Sequence, residues 1–143
     1  MAFKLSAPAA SAAIDASLDL VNLGAGTSEL IVWGGSTPAS LLDDVTVDNI
    51  LLARFSLPNP AFGAASLIDS TVEALAFQIE PVSALDAGTA SFFRLYDGDG
   101  ELLFQGDVSE DPDADDCLIV NQIEVTSGAV VSVSRLVIGM TIA

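Results

Sequence analysis

Carboxylates dominate the reactive groups of this chain, which carries 20 Asp and Glu against 4 Lys and Arg, with one cysteine and no histidine. Two carboxylate clusters have spacings that invite a cation. In Asp97-Gly98-Asp99-Gly100-Glu101 the acids alternate, so their oxygens could face one calcium ion. That run lacks the remaining ligands of an EF-hand loop, and Asp-Gly pairs also build tight hairpins, so a structural turn is the expected role. In Glu110-Asp111-Pro112-Asp113-Ala114-Asp115-Asp116 five carboxylates fall within seven residues. They repel one another unless a cation intervenes, and a hydrated, disordered loop is the expectation there. No metal ligand set and no cofactor are expected.

The inventory is poor for catalysis. Without histidine no Ser-His-Asp triad can be assembled, and Cys117 has no imidazole to activate it, so it is expected as a small core residue. Paired carboxylates can hydrolyse glycosides, but here they fall in turns or on a helix face, with no rim of aromatics to form a sugar cleft. Trp33 is expected to plug a core edge rather than to stack on a ligand. The chain is therefore not expected to be an enzyme.

A net charge of −16 excludes other classes. Lys4, Arg54, Arg94 and Arg135 are scattered, so no basic patch exists to release counterions from nucleic acid, and anionic membrane surfaces are repelled. No run approaches the roughly 18 apolar residues of a spanning helix, and the first residues lack the apolar segment of a secretory signal. Neither membrane insertion nor signal-directed secretion is expected. Self-association must be specific to overcome the repulsion.

The elements that would position these residues are legible in outline. Ser6-Ala7-Pro8 reads as a helix start, since Ser caps free amides and Pro tolerates the first turn. Ile14, Leu18 and Val21 form one stripe, Asp15 and Asp19 a polar neighbour, and Gly24 and Gly26 the end. The partner of that stripe, its own sheet or a neighbouring subunit, is not specified by the pattern. From Glu29 onward short β-branched and aromatic runs alternate with Gly, Pro, Asn and Asp. Strands are predicted at 29–33, 45–57 with a break near Asp48-Asn49, 72–79, 90–96, 102–108, 118–125 and 130–142. In the last run both faces are apolar, which places it inside a sheet or beneath another layer, with Arg135 at a rim or in an ion pair. Pro58-Asn59-Pro60 and Gly63-Ala64-Ala65-Ser66 read as a loop. The expectation is a single mainly β domain over 1–143: a helix and turn over 7–26, then an antiparallel β-sandwich or barrel-like body over 29–143.

This order of elements resembles a family of small virion structural proteins of tailed bacteriophages, several of which are head decoration or cement proteins. In that family an Ala-rich amphipathic helix leads into a strand reading roughly Leu-x-Ile-Tyr-x-Gly-x-x-Pro. Leu30, Val32, Trp33, Gly35 and Pro38 stand in those places, with Trp replacing the usual Tyr. Phe93, Arg94, Leu95, Asp97, Gln105, Gly106 and Val108 match its Phe-Arg-Ile-x-Asp and Gln-Gly-x-Val segments. Leu118, Asn121, Ile123, Gly128, Val131 and Val133 resemble its ending. The chain departs from the family at 109–116, where a glycine-rich loop is usual.

The resemblance implies no catalytic residue. It implies a protein on the outer surface of the capsid, bound to the major capsid protein, stabilising the shell and assembled as a homotrimer. Ile14, Leu18 and Val21, or the apolar C-terminal strand, are the expected partner or oligomer contacts. A tail or fibre component and a calcium-dependent sugar-binding module are the alternatives.

Overall fold

The computed structural model describes residues 3–115 and 117–142. Eleven short strands follow the helix α1 (Ala7–Asp19) among the described residues. They are β1 (Glu29–Gly34), β2 (Ile50–Ser56), β3 (Ser66–Ile68), β4 (Thr71–Leu75), β5 (Val82–Ser83) and β6 (Gly88–Tyr96). After these come β7 (Leu102–Ser109), β8 (Leu118–Val120), β9 (Glu124–Val125), β10 (Val130–Val131) and β11 (Val133–Thr141). The protein is thus mainly β with one N-terminal helix. The large sheet runs β2-β1-β6-β7-β8-β11-β4-β3, β9 pairs with β6, and β5 with β10 forms a small second sheet.

One apolar cluster joins the two ends of this order. Leu30, Val32, Phe55, Phe93 and Leu95 from the β1, β2 and β6 end share it with Val72, Ala74, Leu118 and Leu136 from the β4, β8 and β11 end. The sheet therefore curls around its own core, which satisfies the inward face of every long strand.

The helix closes that core. Ser6 Oγ accepts the Ala9 amide at 3.3 Å, and Pro8 stands in the first turn, where no amide proton is required. Ala10, Ile14, Leu18 and Val21, the last in a 3-10 turn over Leu20–Asn22, are buried in the main cluster. The helix packs on β4, β11 and β3. This corrects the reading of Ile14, Leu18 and Val21 as partner contacts. Each side chain gains about 1.5–3 kcal/mol by leaving water, and the curled sheet supplies that burial within the chain. The polar stripe is used as well. Asp15 Oδ1 accepts the Ala65 amide (2.8 Å), and Asn22 Oδ1 accepts that of Ala61 (3.0 Å), tying down the 57–65 loop with its cis Asn59-Pro60 bond.

Other sequence expectations need adjustment. The sheet is mixed rather than antiparallel, because β7 and β8 pair in parallel through Val108↔Leu118 and Ser109↔Ile119. Residues 45–49 form a loop and not a strand, with Asn49 Oδ1 taking the Thr46 amide (2.9 Å) that a ladder would have used. Residues 118–125 split into β8 and β9, and 130–142 into β10 and β11. Asn121 enforces both breaks: its Oδ1 accepts the Ser132 amide (3.0 Å) and its Nδ2 donates to Val130 O (2.9 Å). The strand predicted over 72–79 ends at Leu75, beyond which only an isolated bridge joins Ala76 to Phe62. The placement of the last run inside a sheet holds, since β11 lies between β8 and β4, and exposed Arg135 donates to Ala114 O at 2.9 Å.

Candidate interaction surface

The 97–101 segment forms the turn between β6 and β7 and spends its carboxylates on backbone amides. Asp97 Oδ1 accepts from Asp99 and Glu101, each at 2.9 Å, and Asp99 Oδ1 accepts from Ala25 at 3.0 Å. The tip docks against the chain leaving the helix, where Gly98 N donates to Leu23 O (2.8 Å) and Gly26 N donates to Gly98 O (2.9 Å). Gly98 is glycine because of this approach, since a Cβ there would overlap the Gly26 carbonyl oxygen. In the acidic segment Asp111 Oδ1 accepts the Asp113 amide at 2.9 Å, while Asp116 lies outside the described residues. Among the described residues no group of three or more His, Cys, Asp or Glu is arranged to hold a metal ion.

Two surface depressions among the described residues have a mixed polar and apolar lining. The one beside the helix is lined by Asp15, Asp19, Asn22 and Phe62, and its Asp15 and Asn22 are engaged by the loop amides already described. A wider groove of about 690 Å³ runs over β4 and β11 past Glu73, Asp115, Cys117 and Arg135. Cys117 is partly buried and packs against the main cluster, as expected of a small apolar residue.

The most developed surface feature is the connection over residues 35–49, between β1 and β2. Strand alternation sends Leu30 and Val32 into the core, and Ile31 and Trp33 to the opposite face of β1. Register places Ile31 beside Arg94 and Trp33 beside Phe92 on β6, and Arg94 beside Gln105 on β7. Ile31 and Phe92 are buried but stand outside the main cluster. The loop lies across this face and is fastened to it. Arg94, only 3% exposed, donates from Nε to Gln105 Oε1 (2.8 Å) and from a terminal nitrogen to Asp43 O (2.6 Å) and Ser40 O (3.3 Å). Gln105 Nε2 in turn donates to Pro38 O at 2.9 Å. The base is pinned by Asn49 Nδ2, donating to Gly34 O (3.1 Å) and Ser36 O (2.8 Å), and by Ser91 Oγ, donating to Gly35 O (2.6 Å). A guanidinium in this position replaces its lost hydration with loop carbonyls rather than with a carboxylate. Trp33 Nε1 is buried with no hydrogen-bond partner among the described residues.

The far side of the loop is unusual for its exposure. Leu42 is 94% and Val47 100% exposed, with Leu41 also exposed beside them. Asp43, Asp44 and Asp48, their neighbours in the chain, are exposed too. The ion pair found among the described residues, Arg54 with Glu29 at 3.0 Å, involves none of them.

Residues from separate sequence motifs thus meet in one place: Trp33, Gly35 and Pro38 from one, Arg94 and Gln105 from another. These residues build a platform for the loop. Gly106, the next residue along β7, faces the core side instead, where a Cβ would stand 2.7 Å from the Phe93 ring across the ladder. The exposed loop residues are hard to see in the sequence because Leu41-Leu42 precede a run that reads as strand from Val45. The available signal was the density of turn-forming residues, Ser40, Asp43, Asp44, Asp48 and Asn49. In comparison with protein-family models, curated proteins and solved structures, the chain matches none.

Proposed function

We propose that this chain is a capsid decoration protein of a tailed bacteriophage, binding the outer surface of the head through protein–protein contacts and stabilising the shell. The observation that carries the reading is the fastened 35–49 loop, which holds in water Leu42 and Val47, the two most exposed of the large hydrophobic residues among those described. Exposed apolar side chains on an ordered support are what a binding surface requires. A net charge of −16 suits the outside of a shell, away from packaged DNA, and the order of sequence motifs supports the same reading. Repetition on a symmetric lattice multiplies modest contacts, and a homotrimer belongs to the proposal. Its contacts lie away from the helix stripe, which the core occupies, and away from the backbone edges of β11, which β8 and β4 occupy.

Quantitative mass spectrometry of purified particles, with antibody labelling, tests the reading. Copy numbers comparable with the major capsid protein, with label on the head, are expected. A few copies at the tail would make the chain a tail or fibre component, and absence from particles would end the virion reading.

A further inference from the structure

The structure points to the 35–49 loop as the docking element, and we infer that its seat is an apolar depression on another protein, bordered by Lys and Arg side chains. The inference deepens the proposed function and rests on the reading that this chain works by binding a protein surface.

Three observations carry it. Leu42 and Val47 are the most exposed of the large hydrophobic residues among those described, and they stand on the same short loop. That loop is fixed by Arg94, Gln105, Asn49 and Ser91, so it has little conformational freedom left to lose when it binds. Asp43 and Asp44 follow Leu42 and Asp48 follows Val47, all exposed, so the apolar residues carry an acidic rim to which no cation among the described residues is paired.

The rim selects the occupant. A second copy of this chain is a poor seat, because its cations are only Lys4, Arg54, Arg135 and the buried Arg94 and do not make a cationic border, and phosphate backbones and anionic lipid are repelled by a net charge of −16. A protein surface with a cationic border complements the rim, while its apolar floor takes Leu42 and Val47 out of water.

The experiment is site-specific photocrosslinking in cells producing the chain, with a benzophenone side chain placed at position 42 or 47, and at the exposed control positions 67 and 85. Crosslinks from 42 and 47, and not from the controls, to a peptide in which apolar residues are flanked by Lys or Arg are expected. The D43N/D44N/D48N variant should lower the yield about tenfold. Crosslinks from the controls alone, a partner peptide that is acidic or comes from this chain, or no crosslink from 42 or 47 would each overturn the assignment. A basic-flanked partner that is not a capsid protein would uphold the loop assignment and overturn the decoration reading.

Discussion

Replacing Arg94 by Met keeps an unbranched apolar stem and deletes the guanidinium, which makes it a direct test of how the 35–49 loop is held. Three hydrogen bonds disappear, to Gln105 Oε1, Ser40 O and Asp43 O. Charge-assisted bonds are worth about 1.5–3 kcal/mol each, so their sum sets an upper bound of about 9 kcal/mol. Two effects reduce it. A guanidinium no longer has to be desolvated, and the released carbonyls return to water when the loop lifts. Lifting also uncovers Ile31 and Phe92, which stand outside the main cluster, so the rest of the core survives. The expected net loss is about 3 kcal/mol, equivalent to about 10 °C in Tm for a domain of this size. Thermal unfolding by circular dichroism gives the global number. Amide hydrogen exchange localises it: the Asp43 and Asn49 amides, bonded to Ser40 O and Thr46 O, should exchange much faster while those of β6 and β11 keep their order of protection. The Gln105→Ala change should be non-additive with it by at least about 0.5 kcal/mol, because the two side chains share one network. A Tm loss under about 3 °C with unchanged exchange in the loop would refute the reasoning.

Three further outcomes follow from the packing. Leu18→Ala should destabilise by about 3 kcal/mol in denaturant titration and leave the oligomeric mass unchanged, whereas Leu42→Ser should leave stability unchanged within about 0.5 kcal/mol, since only Leu18 is buried. Gly98→Ala should destabilise by more than Gly100→Ala: the first meets the Gly26 and Leu23 backbone, while the second meets open space and carries only the strain of φ 84, about 1 kcal/mol. Trp33→Phe should change stability by less than about 1 kcal/mol, because the apolar area lost is offset by removing an unsatisfied buried N–H; a loss above about 3 kcal/mol in chemical unfolding would show that this N–H has a partner.

Local chemistry was legible where it acts over a few residues. The Ser6 cap, the 14-18-21 periodicity and the Asp-Gly turn each depend on neighbours in sequence, and each lies where the pattern placed it. Features that depend on distant partners were not. Nothing near Ile14 states that a sheet will cover it, and nothing near Arg94 states that the Ser40 and Asp43 carbonyls and a glutamine on the next strand will accept its hydrogen bonds. The short strands β3 and β5 lack enough residues to establish a period of two, and the parallel contact of β7 with β8 spans two residue pairs. Asn121 could be read as a turn residue, but its two bonds across to 130 and 132 became visible only in three dimensions.

The place of β11 between β8 and β4 has a consequence for how the chain matures during synthesis. The helix is synthesised before the sheet it packs on, yet part of that floor, β11, follows the other ten described strands in the chain. Until β11 arrives, β4 and β8 have no common neighbour, and Ile14, Leu18 and Val21 have an incomplete surface on which to settle. Nascent chains should therefore stay open along most of their length and close late, in one step governed by distant pairings rather than by growth from the N-terminus. Over that interval the carboxylates scattered along the chain keep neighbouring nascent molecules apart.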